Sequence, residues 1–145
     1  MKTKLTVTIP SYRQPEMLER ALQALSFQTF KDFQVIIIDD ASGTELSNTI
    51  QKFTNTLNVG IIKNYKNLGA MRNMLRSILL DTESDYVFSH HEDDFIKDNY
   101  LETAIQILEK NKNVSFVISC AEWFEKNKTI IKKVSKTENM NYSMQ

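Results

Sequence analysis

The stretch His90-His91-Glu92-Asp93-Asp94 sets two imidazoles beside three consecutive carboxylates, directly after the apolar run Tyr86-Val87-Phe88. Adjacent carboxylates repel one another, and each is costly to strip of water. A bound divalent cation removes both penalties. Carboxylate oxygens suit a hard ion, Mg²⁺ or Mn²⁺, held by one or two side chains and completed by phosphate oxygens. Such an ion would neutralise a diphosphate and stabilise its charge as it leaves. Histidine usually belongs to softer sites. One of the pair is therefore expected to pack under the strand end and the other to be solvated.

Three more polar segments occupy comparable places: Pro10 to Arg13, Asp39 to Ser42, and Asn64 to Arg72. The stretches that carry them read as strands. Leu5-Thr6-Val7-Thr8-Ile9 is short, β-branched and closed by Pro10. Phe33 to Ile38 is apolar apart from Gln34, the pattern of a strand buried on both faces. Val59 to Ile62, Tyr86 to Ser89 and Val114 to Ser119 predict three further strands, and Thr129-Ile130-Ile131 an edge strand.

Helices fall between them. Pro15 and Glu16 open one that carries Met17, Leu18, Ala21, Leu22 and Leu25 at helical spacing. Leu46, Ile50 and Phe53 space a short one. Met71, Met74, Leu75, Ile78 and Leu79 mark an apolar face that is expected to join the core. Asn99 and Glu102 have the form of a capping box ahead of Leu101, Ala104, Ile105 and Leu108. Strands and helices alternating at these lengths predict an α/β fold, a Rossmann-like, mostly parallel sheet with flanking helices. Ligands of such sheets bind outside the carboxyl ends of the strands, so the four polar segments are expected to line one edge.

Composition narrows the function. The 145 residues are 41% hydrophobic and 25% charged, enough for one domain with a real core. Eighteen basic residues balance eighteen acidic ones, which argues against a nucleic-acid partner. Cys120 is the one cysteine, so no internal disulfide forms and a reducing compartment fits. No apolar run reaches membrane-spanning length, and Met1-Lys2-Thr3-Lys4 leads into a strand. A cytoplasmic protein is expected, with membrane contact only by peripheral association. Gly occurs three times, and neither G-x-G-x-x-G nor G-x-x-x-x-G-K-[ST] is present. This argues against a Rossmann dehydrogenase and a P-loop NTPase. Residues 1–131 read as the domain and 132–145 as a frayed polar tail. Trp123 and Phe124 are expected to close the core, and Lys126, Lys128, Lys132 and Lys133 to form a solvated face. Asp39 and Asp40 alone would also suit a capped turn.

The four segments together resemble the N-terminal, nucleotide-sugar-binding part of family 2 glycosyltransferases of the GT-A fold. Val7-Thr8-Ile9-Pro10-Ser11-Tyr12 is similar to the family's opening strand and turn, with Arg13 where Asn is usual. Ser26-Phe27-Gln28-Thr29-Phe30-Lys31-Asp32-Phe33, running on through Gln34 to Asp39-Asp40-Ala41-Ser42, resembles the family's Q-T-[FY]…V-D-D-[GA]-S segment. Asn67-Leu68-Gly69 with Arg72-Asn73 resembles a shortened N-x-G…A-R-N, and Glu92-Asp93-Asp94 stands in the place of the D-x-D motif.

The resemblance implies roles. Pro10, Ser11 and Tyr12 would form the base pocket, Asp40 would accept the N3 proton of a uracil, and Arg72 would lie near base or diphosphate. Asp93 would meet the ribose. Asp94, supported by Glu92, would ligate Mn²⁺ or Mg²⁺. The implied activity is metal-dependent, inverting transfer of a sugar from a nucleotide-sugar, such as a UDP-sugar, to a saccharide or lipid-linked acceptor. In that family the acceptor pocket and catalytic base lie beyond the metal motif, and no residue here is placed to be that base. The GT-A domain is therefore expected to be C-terminally truncated. Two alternatives stay open: a domain that binds nucleotide-sugar without transferring the sugar, and a nucleotidyltransferase. Against the latter, the turn after the first strand, Pro10 to Pro15, contains no glycine.

Overall fold

The structure, a computed structural model, describes residues 2–43, 46–119, 123–125 and 128–130. It divides into two compact units, Met1–Gln106 and Ile107–Gln145. The boundary expected at residue 131, together with Cys120, Lys126, the tail and the side chains of Trp123, Phe124 and Lys128, lies outside the described part.

In the first unit, strand and helix alternate as the sequence predicts. The elements are β1 (Leu5–Ser11), α1 (Pro15–Ser26), β2 (Phe33–Asp39), α2 (Ser47–Gln51), β3 (Val59–Lys63), α3 (Ala70–Ile78) and β4 (Tyr86–Ser89). The helix α4 (Tyr100–Lys110) follows. The four strands are parallel in the order β3-β2-β1-β4. Register is continuous from Leu5↔Phe33 to Ser11↔Asp39 on one side of β1, and from Leu5↔Tyr86 to Thr8↔Ser89 on the other. The chain runs outward from β1 to β3 and then returns across the sheet to β4. That reversal opens a crevice at the carboxyl ends of β1 and β4, where ligands of such sheets bind.

One face of the sheet carries the core. Successive side chains of a strand point to opposite faces, so Leu5, Val7 and Ile9 of β1 share a side with Phe33, Val35 and Ile37 of β2. Onto them pack Leu18, Ala21, Leu22 and Leu25 of α1, Leu46, and Leu101 and Ile105 of α4. Gln28 fastens α4 to this layer: its amide Nε2 donates to the Lys97 carbonyl at 2.8 Å, and its Oε1 accepts from Leu101 N–H at 3.0 Å. Thr29 N–H donates to the Asp98 carbonyl at 2.8 Å. Glu102 does not reach back to close a capping box. It accepts a bond from Thr29 Oγ1 at 2.7 Å, so the Gln28-Thr29 pair orders the start of α4 from outside.

The other face corrects the reading of α3. It sets Thr6, Thr8, Gln34 and Ser89 among Ile36, Ile38 and Val87, and α3 seats its own polar side on it. Asn73 Nδ2 donates to the Ile38 carbonyl at 2.9 Å, and the Ser77 and Ser89 hydroxyls pair at 3.0 Å. Met71, Leu75, Ile78 and Leu79 consequently point outward, 71, 51, 46 and 70% exposed. Helical periodicity marks a face but not the direction it takes. Hydroxyls and a carbonyl on the sheet decided that here.

The second unit holds β5 (Trp123–Glu125) and β6 (Lys128–Ile130), an antiparallel pair with Trp123↔Ile130. Thr129 and Ile130 thus belong to a two-stranded sheet and not to the edge of the parallel one. Val114 to Ser119 forms no strand, and Phe116 and Ile118 are exposed. A strand requires a continuous ladder with a neighbour, and the described sheets contain no such ladder for this segment.

Candidate functional site

The β1 strand ends at Ser11, and the backbone then turns through Tyr12 and Arg13. Arg13 is left-handed (φ 57°), and this turn is stapled to the one after β2. Arg13 N–H donates to Ser42 Oγ at 3.0 Å, and its Nε donates to the Ser42 carbonyl at 3.1 Å. The guanidinium lies over the Tyr12 ring, 5.0 Å from its centroid, which holds that ring in place. Ala41 is also left-handed (φ 55°), a strained conformation for a residue with a Cβ. Asp39 holds the turn, its Oδ1 accepting from both the amide and the hydroxyl of Ser42.

Asp40 is buried and organises the loop after β3. Its Oδ1 accepts from Asn64 Nδ2 at 2.7 Å and Leu68 N–H at 2.8 Å, and its Oδ2 from Gly69 N–H at 2.9 Å. Asn64 Nδ2 also donates to Asn73 Oδ1 at 2.9 Å, which ties the loop to α3. Gly69 takes φ 84°, a conformation that favours glycine. A carboxylate offers about four acceptor positions, so three bonds leave Asp40 room for one more donor.

At the end of β4 the acidic cluster is differentiated by burial. His90 is the packed histidine: its N–H donates to the Thr8 carbonyl at 2.9 Å, and its ring stacks on Phe88 at 5.7 Å. Burial, and secondarily the charge of His91, push its pKa down to about 4, against the opposing pull of Asp93. His90 is neutral at pH 7. His91 is exposed.

Glu92 turns back under β1. Its Oε1 accepts from Tyr12 N–H at 3.3 Å, while Oε2 is buried beside the Ser11 hydroxyl without an aligned bond to it. Burial raises the Glu92 pKa, and the nearby Ser11 hydroxyl and Tyr12 N–H oppose the rise. A carboxylate committed in this way braces the β1 turn. Glu92 also lines the crevice, so the carboxylate expected to support the metal stands at its wall. Asp93 is exposed and faces the crevice. Asp94 is also exposed, in a turn closed by its N–H to the His91 carbonyl at 3.2 Å.

These residues enclose a cavity of about 410 Å³. Pro10, Ser11, Tyr12 and Asp40 form one side and His91, Glu92 and Asp93 another, with Gly69, Asn73 and Met74 between. That volume is in the range that holds a small ligand. A larger hollow, about 480 Å³, lies at the amino end of β3 and is lined by Thr54 to Val59, with no titratable side chain. Of the residues singled out in the sequence, Pro10, Ser11, Tyr12, Asp40, Glu92 and Asp93 therefore meet at one cavity. Arg72 and Asp94 do not line it: Arg72 sits exposed on α3. Asn64 opens one of the candidate segments and Asn73 closes a motif, but the sequence assigns neither them nor Met74 a role in the site. The Asn67-Gly69 turn and the Arg72-Asn73 pair were the signal available for them.

Among the described residues no three His, Cys, Asp or Glu side chains converge as a metal cage. The donor set instead suits a hard cation held by one or two carboxylates and completed by a bound phosphate.

The sequence matches the family described as Glycosyl transferase family 2 over residues 6–144. The chain belongs to glycosyl transferase family 2. Among its relatives is the UDP-Gal:alpha-D-GlcNAc-diphosphoundecaprenol beta-1,3-galactosyltransferase of Escherichia coli, 34% identical over 134 residues, covering 89% of this chain and 48% of that one. Two solved structures share the fold. One is Staphylococcus aureus TarS in complex with UDP, with TM-score 0.64 and 24% identity, covering 76% of this chain and 32% of that one. The other is a mannosyltransferase from Pyrobaculum calidifontis in complex with GDP-Man and Mn²⁺, with TM-score 0.60 and 17% identity, covering 74% and 33%. These are GT-A glycosyltransferases, the fold the four motifs implied. This family 2 chain spans less than half the length of the curated relatives it matches. Among its described residues no helix is long and apolar enough to cross a membrane.

Proposed function

We propose that the crevice binds a nucleotide-sugar, in first place a UDP-sugar, and that the protein serves metal-dependent, inverting transfer of the sugar to a saccharide or lipid-linked acceptor. The observation that carries this reading is the meeting of Asp40 and the Ser11-Tyr12 turn with Asp93 around one cavity in a family 2 chain. Pro10 and Tyr12 form apolar walls for a planar base. Asp40, fixed by three donors, offers its remaining acceptor position to the N3–H of uracil. Asp93 takes the ribose from the opposite wall, and Asp94, the next residue, holds Mn²⁺ or Mg²⁺ with the two phosphates. The cation would neutralise the diphosphate as it departs. Glu92 holds the Tyr12 wall in position, and Arg72 on α3 is the nearest candidate to screen the diphosphate from outside.

The lipid-linked acceptor is supported by the E. coli relative, which is named for a diphosphoundecaprenol-linked substrate. The alternative reading is binding of the donor without transfer of the sugar. Titration calorimetry with UDP and Mn²⁺ tests the donor site. Saturable binding that weakens at least tenfold on chelation and on Asp94→Ala is expected. Absence of binding sinks the reading. A turnover assay with UDP-sugar then separates the two forms, since binding without UDP release identifies the donor-only protein.

A further inference from the structure

The turn after β1 carries an arginine, Arg13, where the backbone is left-handed, at φ 57°. Among residues with a Cβ, Asn enters that region far more readily than Arg. The main-chain bond from Arg13 N–H to Ser42 Oγ is open to any residue with an amide hydrogen. Two contacts belong to the guanidinium alone. Its Nε donates to the Ser42 carbonyl at 3.1 Å, and its central carbon lies 5.0 Å from the centroid of the Tyr12 ring. The strain of the turn is offset by these two contacts or by nothing the arginine brings.

Tyr12 lines the cavity, and Arg13 does not. The guanidinium therefore backs the ring from outside and leaves its inner side free. Among the described residues the Tyr12 ring makes no other ring or cation contact. Glu92 holds the Tyr12 main chain, and Arg13 holds its ring. The anchor, Ser42, stands two residues beyond Asp40 and is fixed through its amide and hydroxyl to Asp39. One side chain thus ties the flat wall after β1 to the turn that carries the buried acceptor after β2.

We propose that Arg13 is a positioning residue for the nucleobase, holding the Tyr12 ring against the cavity before the ligand arrives and in register with Asp40. The role rests on the uridine reading of the crevice. Stacking on an aromatic ring accepts any base, and the Asp40 acceptor then selects the edge. That selection needs the plane and the acceptor at a fixed separation, which a mobile ring loses. A ring ordered beforehand need not be immobilised in the complex, a difference of about fivefold in affinity for one side chain. Direct contact of the guanidinium with phosphate does not fit its place outside the cavity.

Titration calorimetry with UDP and Mn²⁺ over a double-mutant cycle tests the role. Arg13→Asn, which suits a left-handed turn, should bind UDP about fivefold more weakly with its circular dichroism unchanged. In a Tyr12→Leu background the same substitution should change UDP affinity by less than about twofold, because Arg13 acts only through the ring. One readout needs no variant: in the wild type the Arg13 δ-methylene protons should be displaced upfield by the Tyr12 ring, with UDP absent as well as bound. A wild type that does not bind UDP overturns the uridine reading and this role with it. Wild-type binding that Arg13→Asn leaves unchanged overturns the role alone. So does an equal loss in both backgrounds, or Arg13 protons at their ordinary shifts.

Discussion

Replacing His90 by Phe removes a titrating group from the base of the crevice while keeping a ring to stack on Phe88. In the folded chain the His90 pKa is lowered to about 4, first by burial and then by His91, while unfolding returns it to 6.5. The folded value lies below the unfolded one, so the unfolded chain binds the proton more tightly. Stability linked to His90 is therefore complete above pH 6.5 and is lost as the pH falls through the window from 6.5 to about 4. At about 1.4 kcal/mol per pH unit, the wild type should lose about 2.5 kcal/mol from this group between pH 7.5 and pH 4.5. Glu92 contributes a slope of the opposite sign, because its raised pKa favours the folded state when it is protonated. It is present in both proteins and drops out of their difference. Urea midpoints of wild type and His90→Phe at both pH values, in chelator, supply that difference. The gap should move by about 2.5 kcal/mol in favour of the variant on acidification. Parallel loss in the two proteins, or an imidazole signal for His90 that titrates near its ordinary value, refutes the reasoning.

Other substitutions separate the supports of the site. Asp40→Asn sets an amide where the carboxylate now accepts from Asn64, Leu68 and Gly69, and should cost about 3 kcal/mol in chemical denaturation while abolishing UDP binding. Gln28→Leu orphans Leu101 N–H and the Lys97 carbonyl, and a loss of about 2 kcal/mol with little change in UDP affinity is expected. Ala41→Gly relieves a left-handed backbone, and a gain of about 0.5–1 kcal/mol in urea unfolding checks that strain.

Much of the first unit was legible because β1 and β2 are short β-rich runs closed by turn residues, and alternation with helices specifies a parallel sheet. Placing Pro10 to Arg13, Asp39 to Ser42 and His90 to Asp94 at one edge needed only the rule that such sheets bind ligands at strand ends. What escaped depended on partners distant in sequence. The stripe on α3 was plain, but its outward direction followed from Thr8, Ser89 and the Ile38 carbonyl on the sheet beneath. Val114 to Ser119 has the composition of a strand but joins neither of the described sheets. Glu92 read as a ligand beside two aspartates. Its bond from the Tyr12 amide, eighty residues earlier, is a contact that the sequence does not announce.

Amide chemical-shift mapping of the isotopically labelled chain with UDP and Mg²⁺ tests the donor site most directly. Binding at the crevice should shift Ser11, Tyr12, Gly69 and Asp93 in concert and saturably, and leave the hollow at Thr54 to Val59 unchanged. Shifts confined to that hollow, or none at all, would contradict the account.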